Sequence, residues 1–164
     1  GEIRVKKVYK LLIAGVFILS LAGCSRAGRT KESTSGQEKK VLIEQYLRIK
    51  SQNGQNIIVS LNGSPAAQSL YNQLPLSVRI ENYSNNEKIF YPPKKLETEG
   101  TPPAKGPAGI LAYYAPWGDV AVFYGECRGA SGLYELGETV SGRDQIKNLK
   151  GEVKIEAMTK SDSK

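Results

Sequence analysis

Apolar residues alternate with polar ones along the central and C-terminal parts of the chain, the two-residue period of half-buried β-strands. The run LSVRIENYS, which begins at Leu76, shows this most clearly. The pattern predicts seven or eight short strands, near Tyr46–Gln52, Asn56–Asn62, Leu76–Glu81, Lys88–Tyr91, Ile110–Tyr114, Val120–Tyr124, Leu133–Gly137 and Val153–Met158. This many strands in about 115 residues predicts a closed barrel, which leaves no sheet edge unpaired.

Turn and helix signals separate these strands. Asn53-Gly54 lies between two β-rich runs and is a strong hairpin signal, although a helix over Glu38–Lys50 is an alternative for the first strand. Ser64 followed by Pro65 predicts the start of a short helix, and a second short helix is expected near Arg143–Leu149. The predicted fold class is mainly β, a closed eight-stranded barrel with two short helices.

Five aromatic residues cluster in the stretch ILAYYAPWGDVAVFYG, which begins at Ile110. By strand alternation Leu111 and Tyr113 face one side of the first strand, and Phe123 and Ala121 share a side of the second. One set must fill the barrel, while the other set and Trp117 in the turn lie on an outer face or under the proline-rich loop that precedes Ile110. Core packing explains most of these rings, and ligand contact is the alternative.

The N-terminal stretch has the organisation of a secretion signal. A basic segment precedes the uncharged run Leu11–Gly23, whose 13 residues fall short of the roughly 20 that a helix needs to cross a bilayer. The run ends in Leu21-Ala22-Gly23-Cys24, which resembles the lipobox of bacterial lipoproteins. The resemblance implies a signal peptide over residues 1–23, acyl chains on Cys24 as the membrane anchor, and a location on the exported side of the cell membrane or outer membrane.

The remaining domain boundaries follow from composition. Residues 25–40 contain no large apolar residue and are rich in Ser, Thr, Gly and charge, so a flexible tether is expected over residues 24–45. The barrel domain is predicted over residues 46–158, and a disordered tail over residues 159–164.

Charge and residue counts exclude several function classes. The net charge is +7, and removal of residues 1–23, which hold four basic residues and one acidic residue, lowers it to +4. The basic residues are scattered among acids, so no nucleic-acid partner is predicted. The chain has no histidine, and Cys127 is left without a partner once Cys24 is lipidated. No catalytic residue, metal site, nucleotide motif or cofactor is predicted.

The order of segments resembles the bacterial cyclophilin-like domain family. The resemblance covers roughly Tyr46–Met158 and is most specific in AYYAPWGDVAVFYG and LYELGETVSGRDQIKNL. It implies an eight-stranded barrel capped by two helices, the fold of true cyclophilins, which are peptidyl-prolyl isomerases. Leu133 stands where isomerases usually carry a groove histidine, and no Phe-His-Arg triplet occurs. The resemblance therefore implies the fold without the isomerase residues.

The predicted function is noncatalytic recognition of a peptide or small-molecule ligand in a groove of the barrel. The candidate ligand-binding residues are Tyr91, Tyr113, Trp117 and Phe123 for apolar contact, with Arg79 or Glu87 for polar orientation. Two alternatives remain: a divergent peptidyl-prolyl cis-trans isomerase that acts on exported proteins, and a purely structural envelope protein.

Overall fold

The computed structural model describes residues 44–159. The predicted signal peptide, the predicted lipidation site Cys24, the tether up to residue 43 and the tail from residue 160 lie outside the described residues. Within residues 44–159, no helix combines the length and the apolar character that a transmembrane span requires.

Eight antiparallel strands close into one barrel, as predicted. The strands are β1 Tyr46–Ser51, β2 Asn56–Leu61, β3 Leu76–Tyr83, β4 Glu87–Phe90, β5 Ile110–Tyr114, β6 Asp119–Phe123, β7 Leu133–Ser141 and β8 Gly151–Met158. Around the barrel their order is β1-β2-β7-β5-β6-β4-β3-β8, and β8 pairs with β1 to close it. β1 covers Tyr46–Lys50 of the stretch where a helix was the alternative, so the strand prediction is confirmed for those residues.

Strand β7 is longer than predicted, since it continues past Gly137 to Ser141. At Gly137 it crosses β2 so closely that an added Cβ would collide with the carbonyl oxygen of Ser60 and lie 2.9 Å from the Cα of Leu61. The predicted strand ended at this glycine. The missing side chain instead permits the close approach that keeps β7 paired with β2.

Two short helices cover the barrel. Helix α1 spans Pro65–Tyr71, and the Ser64 hydroxyl accepts a hydrogen bond from the N–H of Ala67 at 3.3 Å, which confirms the predicted N-cap. Leu70 on this helix is fully buried in the core. The second predicted helix is a 3₁₀ helix over Arg143–Asn148, whose buried side chain is Ile146.

Side-chain alternation divides the hairpin of β5 and β6 between two cores. The set with Leu111, Tyr113 and Val122 points into the barrel and joins its main core. The opposite set, with Ala112, Ala121 and Phe123, forms a second core on the outer face of the sheet. Both predicted sets therefore exist, and the set containing Tyr113 fills the barrel.

The proline-rich segment between β4 and β5 packs against the barrel along much of its length. Leu96 is buried in the main core, and its N–H donates to the Tyr113 hydroxyl at 3.4 Å. The Thr101 hydroxyl accepts from the N–H of Ala66 at 3.1 Å, which ties the segment to α1. Farther along, Gly106 and Cys127 exchange two backbone hydrogen bonds of 2.9 Å each. The segment also contributes Ala104 to the second core, and an open groove lies beside that core.

Candidate functional site

An open groove of about 490 Å³ lies on the outer face of the barrel, beside the second core. Strands β3 to β7 and the segments after β3 and β6 form its walls. The residues used below are Tyr83, Glu87, Tyr114, Trp117, Asp119, Phe123, Glu126, Arg128 and Leu133, all of which line it.

Strand register sets the spacing of the groove side chains. At one end, Glu87 on β4 lies directly opposite Tyr83 on β3 and Phe123 on β6. At the other end, Asp119 begins β6 and lies opposite Tyr114 on β5. Asp119 and Phe123 are four residues apart on one strand, which corresponds to about 13 Å. The groove therefore has a carboxylate near each end of the β4–β6 pair.

Trp117 and two tyrosines form an aromatic wall. The ring centroids of Trp117 and Tyr83 are 5.3 Å apart at an interplanar angle of 88°, and those of Trp117 and Tyr114 are 5.5 Å apart at 77°. Edge-to-face pairs of this kind are favourable beyond the area they bury. They fix the indole beside the groove even though Trp117 is 53% exposed. A large exposed aromatic held in this way is available to a ligand.

The two carboxylates occupy unusual electrostatic positions. Asp119 is only 3% exposed, and its Oδ1 has no hydrogen-bond partner among the described residues. Burial raises the pKa of the Asp119 carboxyl, and its own backbone N–H opposes this in part. Burial and then the charge of Asp119 raise the pKa of Glu87. Both carboxylates would gain stability from a positive group or a hydrogen-bond donor.

An ion pair lies on the solvent side of the groove. The Nε atom of Arg128 lies 3.4 Å from a carboxylate oxygen of Glu126. Both side chains are well exposed, Arg128 by 85%, so water screens this pair. With Glu87, Asp119 and Glu126 against Arg128 alone, the groove residues carry more acidic than basic groups.

The structure places three of the six candidate ligand-binding residues in the groove. Glu87, Trp117 and Phe123 line it. Tyr113 lies inside the barrel and is 1% exposed. Arg79 projects into solvent on β3, where its Nε is 2.8 Å from Glu81, and Tyr91 is exposed just after β4, outside the groove lining. Ligand binding at any of these positions stays a prediction.

Sequence reasoning missed Tyr83, Asp119 and Arg128. Strand alternation could have found Asp119, because it faces the same side of β6 as Phe123 and comes just after the turn that contains Trp117. The same argument places Tyr83 on the outer face, because it lies three residues after Ile80 on β3 and Ile80 points into the main core. Arg128 lies in an irregular segment, so no periodic signal gives its direction.

Comparisons with known proteins agree with the barrel geometry. The model of the cyclophilin-like family matches residues 51–157, well over half of the chain. The chain belongs to the cyclophilin-like family. Among solved structures, the cyclophilin-like barrel is similar to that of the hypothetical protein AF2241 from Archaeoglobus fulgidus, with a TM-score of 0.54 and 18% sequence identity over 70% of this chain and 95% of that one. No match was found among curated proteins.

Two features bear on chemistry within this cyclophilin-like domain. Leu133, which the resemblance predicts to stand where isomerases usually carry a histidine, lines this groove. Over residues 44–159, no group of three or more Asp, Glu, Cys or His side chains is arranged to hold a metal ion.

Proposed function

We propose that this protein is an exported lipoprotein whose cyclophilin-like barrel binds, without catalysis, a ligand that carries a protonated amine. The acyl chains on Cys24 would hold the barrel at the membrane surface, on the exported side, and the groove on its outer face would receive the ligand. The lipobox-like ending Leu21-Ala22-Gly23-Cys24 supports the anchor. The groove geometry supports the ligand class.

The observation that carries the ligand class is the free oxygen of Asp119. A buried acceptor without a partner costs about 1–3 kcal/mol. Oδ1 of Asp119 is in this position at the groove. Because this oxygen is buried, the Asp119 side chain would turn toward the groove to accept an N–H from the ligand, which would remove the cost. A cationic donor would also offset the burial of the negative charge. A protonated primary amine supplies both the charge and the donor.

The surrounding groups fit the same ligand. Glu87 adds a second carboxylate, whose pKa is raised first by burial and then by the charge of Asp119. A cation in the groove would offset both effects. The half-exposed ring of Trp117 offers a face for cation–π contact. Phe123 and Leu133 supply apolar surface for the carbon chain of the amine. A quaternary ammonium matches the charge and the ring but has no N–H to donate to Asp119.

The proposal can be tested on the full chain with the substitution Cys24→Ser, which removes only the predicted lipidation site. The single tryptophan, Trp117, reports directly on the groove. We expect butylammonium and 1,4-diaminobutane to change its emission in a saturable way. Tetramethylammonium should bind more weakly, and 1-butanol should produce no saturable change at matched ionic strength.

A matched pair of variants locates the binding. Asp119→Asn should weaken butylammonium binding at least 10-fold, whereas Glu152→Gln, at an exposed carboxylate on β8 outside the groove lining, should leave it unchanged. Equal responses to butylammonium and 1-butanol, or unchanged binding by Asp119→Asn, would reject the amine as the ligand class.

Prolyl isomerisation is the second candidate, because one guanidinium does lie at the groove. Arg128 and Leu133 both line it, and Arg128 forms an exposed ion pair with Glu126. Its fork geometry could hydrogen-bond a prolyl amide, which an ammonium group cannot reproduce. An isomerisation assay on a proline peptide distinguishes the candidates: a rate enhancement that Arg128→Lys abolishes would favour the isomerase, and a rate equal to the uncatalysed one would favour noncatalytic binding.

A further inference from the structure

The side chain of Lys88 is buried at one end of the barrel, and no acidic side chain among residues 44–159 forms an ion pair with it. Lys88 is 7% exposed. On β4 its side chain points to the side of the sheet opposite to Glu87, which faces the groove. It lies on the same side as Phe90, which is part of the main core. The ion pairs found among residues 44–159 do not include it. Lysine is rarely buried unless an acid pairs with it, so this position calls for an explanation.

The groups nearest to Lys88 do not neutralise its charge. Its ammonium stands over the Tyr124 ring, with 5.8 Å between the Nζ atom and the ring centroid. Lys147 and Lys150 line the same open pocket of about 460 Å³. Burial lowers the pKa of Lys88, and the charges of Lys147 and Lys150 lower it further. Three like charges therefore converge on one cavity.

Polar donors complete the pocket. The carboxamide residues Asn53 and Asn148 lie on its wall together with Gln55, and no acidic residue lines it. Asn53 comes from the β1–β2 turn, and Lys147 and Asn148 belong to the 3₁₀ helix. Ammonium and amide groups from three separate elements thus face one space, and all of them can donate hydrogen bonds.

We propose that this pocket binds a phosphate-type oxyanion. Three ammonium groups match a multiply charged anion with several acceptor oxygens better than a single carboxylate, and lysine binds phosphate as a compact point charge. The bound anion would supply the counter-charge that Lys88 lacks. The site is separate from the groove, since Lys88 and Glu87 face opposite sides of the sheet, and it does not depend on the amine proposal.

Two sources could supply this chemistry: free inorganic phosphate and the phosphate of an anionic lipid headgroup. The first test titrates inorganic phosphate into the full chain carrying Cys24→Ser and follows the melting temperature, with sodium chloride of equal ionic strength as the reference. We expect a saturable rise with phosphate and none with chloride.

The second test sediments the same protein with phosphatidylcholine vesicles, with and without phosphatidylglycerol. Binding that requires phosphatidylglycerol and is reversed by phosphate assigns the site to headgroups; a phosphate effect without vesicle binding assigns it to the free ion.

Three substitutions decide whether the pocket is responsible. Lys88→Met should weaken the response to the anion at least 10-fold, and Lys150→Met, at an exposed position where folding is not at risk, should weaken it several-fold. Lys94→Met, at an exposed lysine near α1, should respond like the parent protein. The proposal fails if chloride acts as phosphate does, if neither phosphate nor vesicles bind, or if Lys150→Met and Lys88→Met both respond like the parent.

Discussion

The rings of Tyr83 and Trp117 meet edge to face although they come from opposite ends of the β4–β6 strand pair. Tyr83 lies opposite Glu87, at the Phe123 end, whereas Trp117 belongs to the turn before Asp119. The two side chains therefore reach toward each other along about 13 Å of strand. This contact forms the aromatic wall of the groove, and it makes the position of Trp117 depend on Tyr83.

The first prediction concerns this dependence. Tyr83→Leu removes one of the two edge-to-face partners of Trp117, each worth about 0.5–1.5 kcal/mol. We expect Trp117 emission to shift to longer wavelength, its anisotropy to fall, and butylammonium affinity to drop several-fold. Tyr91→Leu changes an exposed tyrosine outside the groove lining and should alter none of these readings. Identical spectra for Tyr83→Leu and the parent protein would show that the indole is held by other contacts.

The second prediction concerns pH and the Asp119 carboxyl. Folding raises its pKa above the ordinary value of 3.8, so the folded state holds the proton more tightly than the unfolded state. The folded protein therefore loses stability from this group as the pH rises from about 3.8 through the raised pKa, and the loss is complete above it. Asp119→Asn carries no charge and escapes this loss. Its melting temperature should exceed that of the parent more at pH 7.5 than at pH 3.5.

Glu87 provides the comparison for this experiment. Its pKa is also raised, first by burial and then by Asp119, so Asp119→Asn should move the titration of Glu87 back toward its ordinary value. Carbon-detected NMR of the two carboxyl groups measures both effects. A Glu87 titration that is the same in the parent and the variant would contradict the coupling between the two carboxylates.

Alternation along the strands predicted much of the barrel but only part of the groove. The same alternation holds at Glu87 and Lys88, which are adjacent on β4 and face opposite sides of the sheet. It also defined the two sides of β5 and β6, but it could not state which side is the interior. That choice depends on the closure of all eight strands, and it places Tyr113 inside and Phe123 outside.

Contacts between distant strands were beyond the sequence pattern. The pairing of Tyr83 with Trp117 requires the order β5-β6-β4-β3, in which a strand from later in the chain lies beside β4. Nothing local at either residue specifies that order. Arg79 illustrates the same limit. Alternation along β3 predicted that its side chain faces outward. Its position opposite Glu152 depends on the pairing of β3 with β8, which no local pattern specifies.

The third prediction tests the close crossing of β7 and β2. Gly137→Ala would place a methyl group against the backbone of Ser60 and Leu61, which cannot move without disturbing the strand pairing. We expect a loss of about 3 kcal/mol in the free energy of unfolding, the upper part of the range for overpacking. Gly54→Ala has open space around it and meets only the cost of its positive φ of 89°, about 1–2 kcal/mol. Chemical denaturation of both variants measures the difference, and a milder effect at Gly137 would mean that the strands can separate locally.

The last prediction concerns the membrane anchor. If acyl chains on Cys24 hold the protein, Cys24→Ser should move it from the membrane fraction to the soluble fraction of cells that express the full chain, because two or three acyl chains are needed for durable attachment. Cys127→Ala is the matched control: Cys127 is fully buried in the second core, and burial raises the pKa of its thiol, so neither acylation nor attachment should depend on it. Mass spectrometry of the mature N-terminus should show a lipid-modified cysteine as the first residue. A Cys24→Ser protein that still sediments with membranes would require attachment by another route, and the lipid headgroup test on the Lys88 pocket would then become the next experiment.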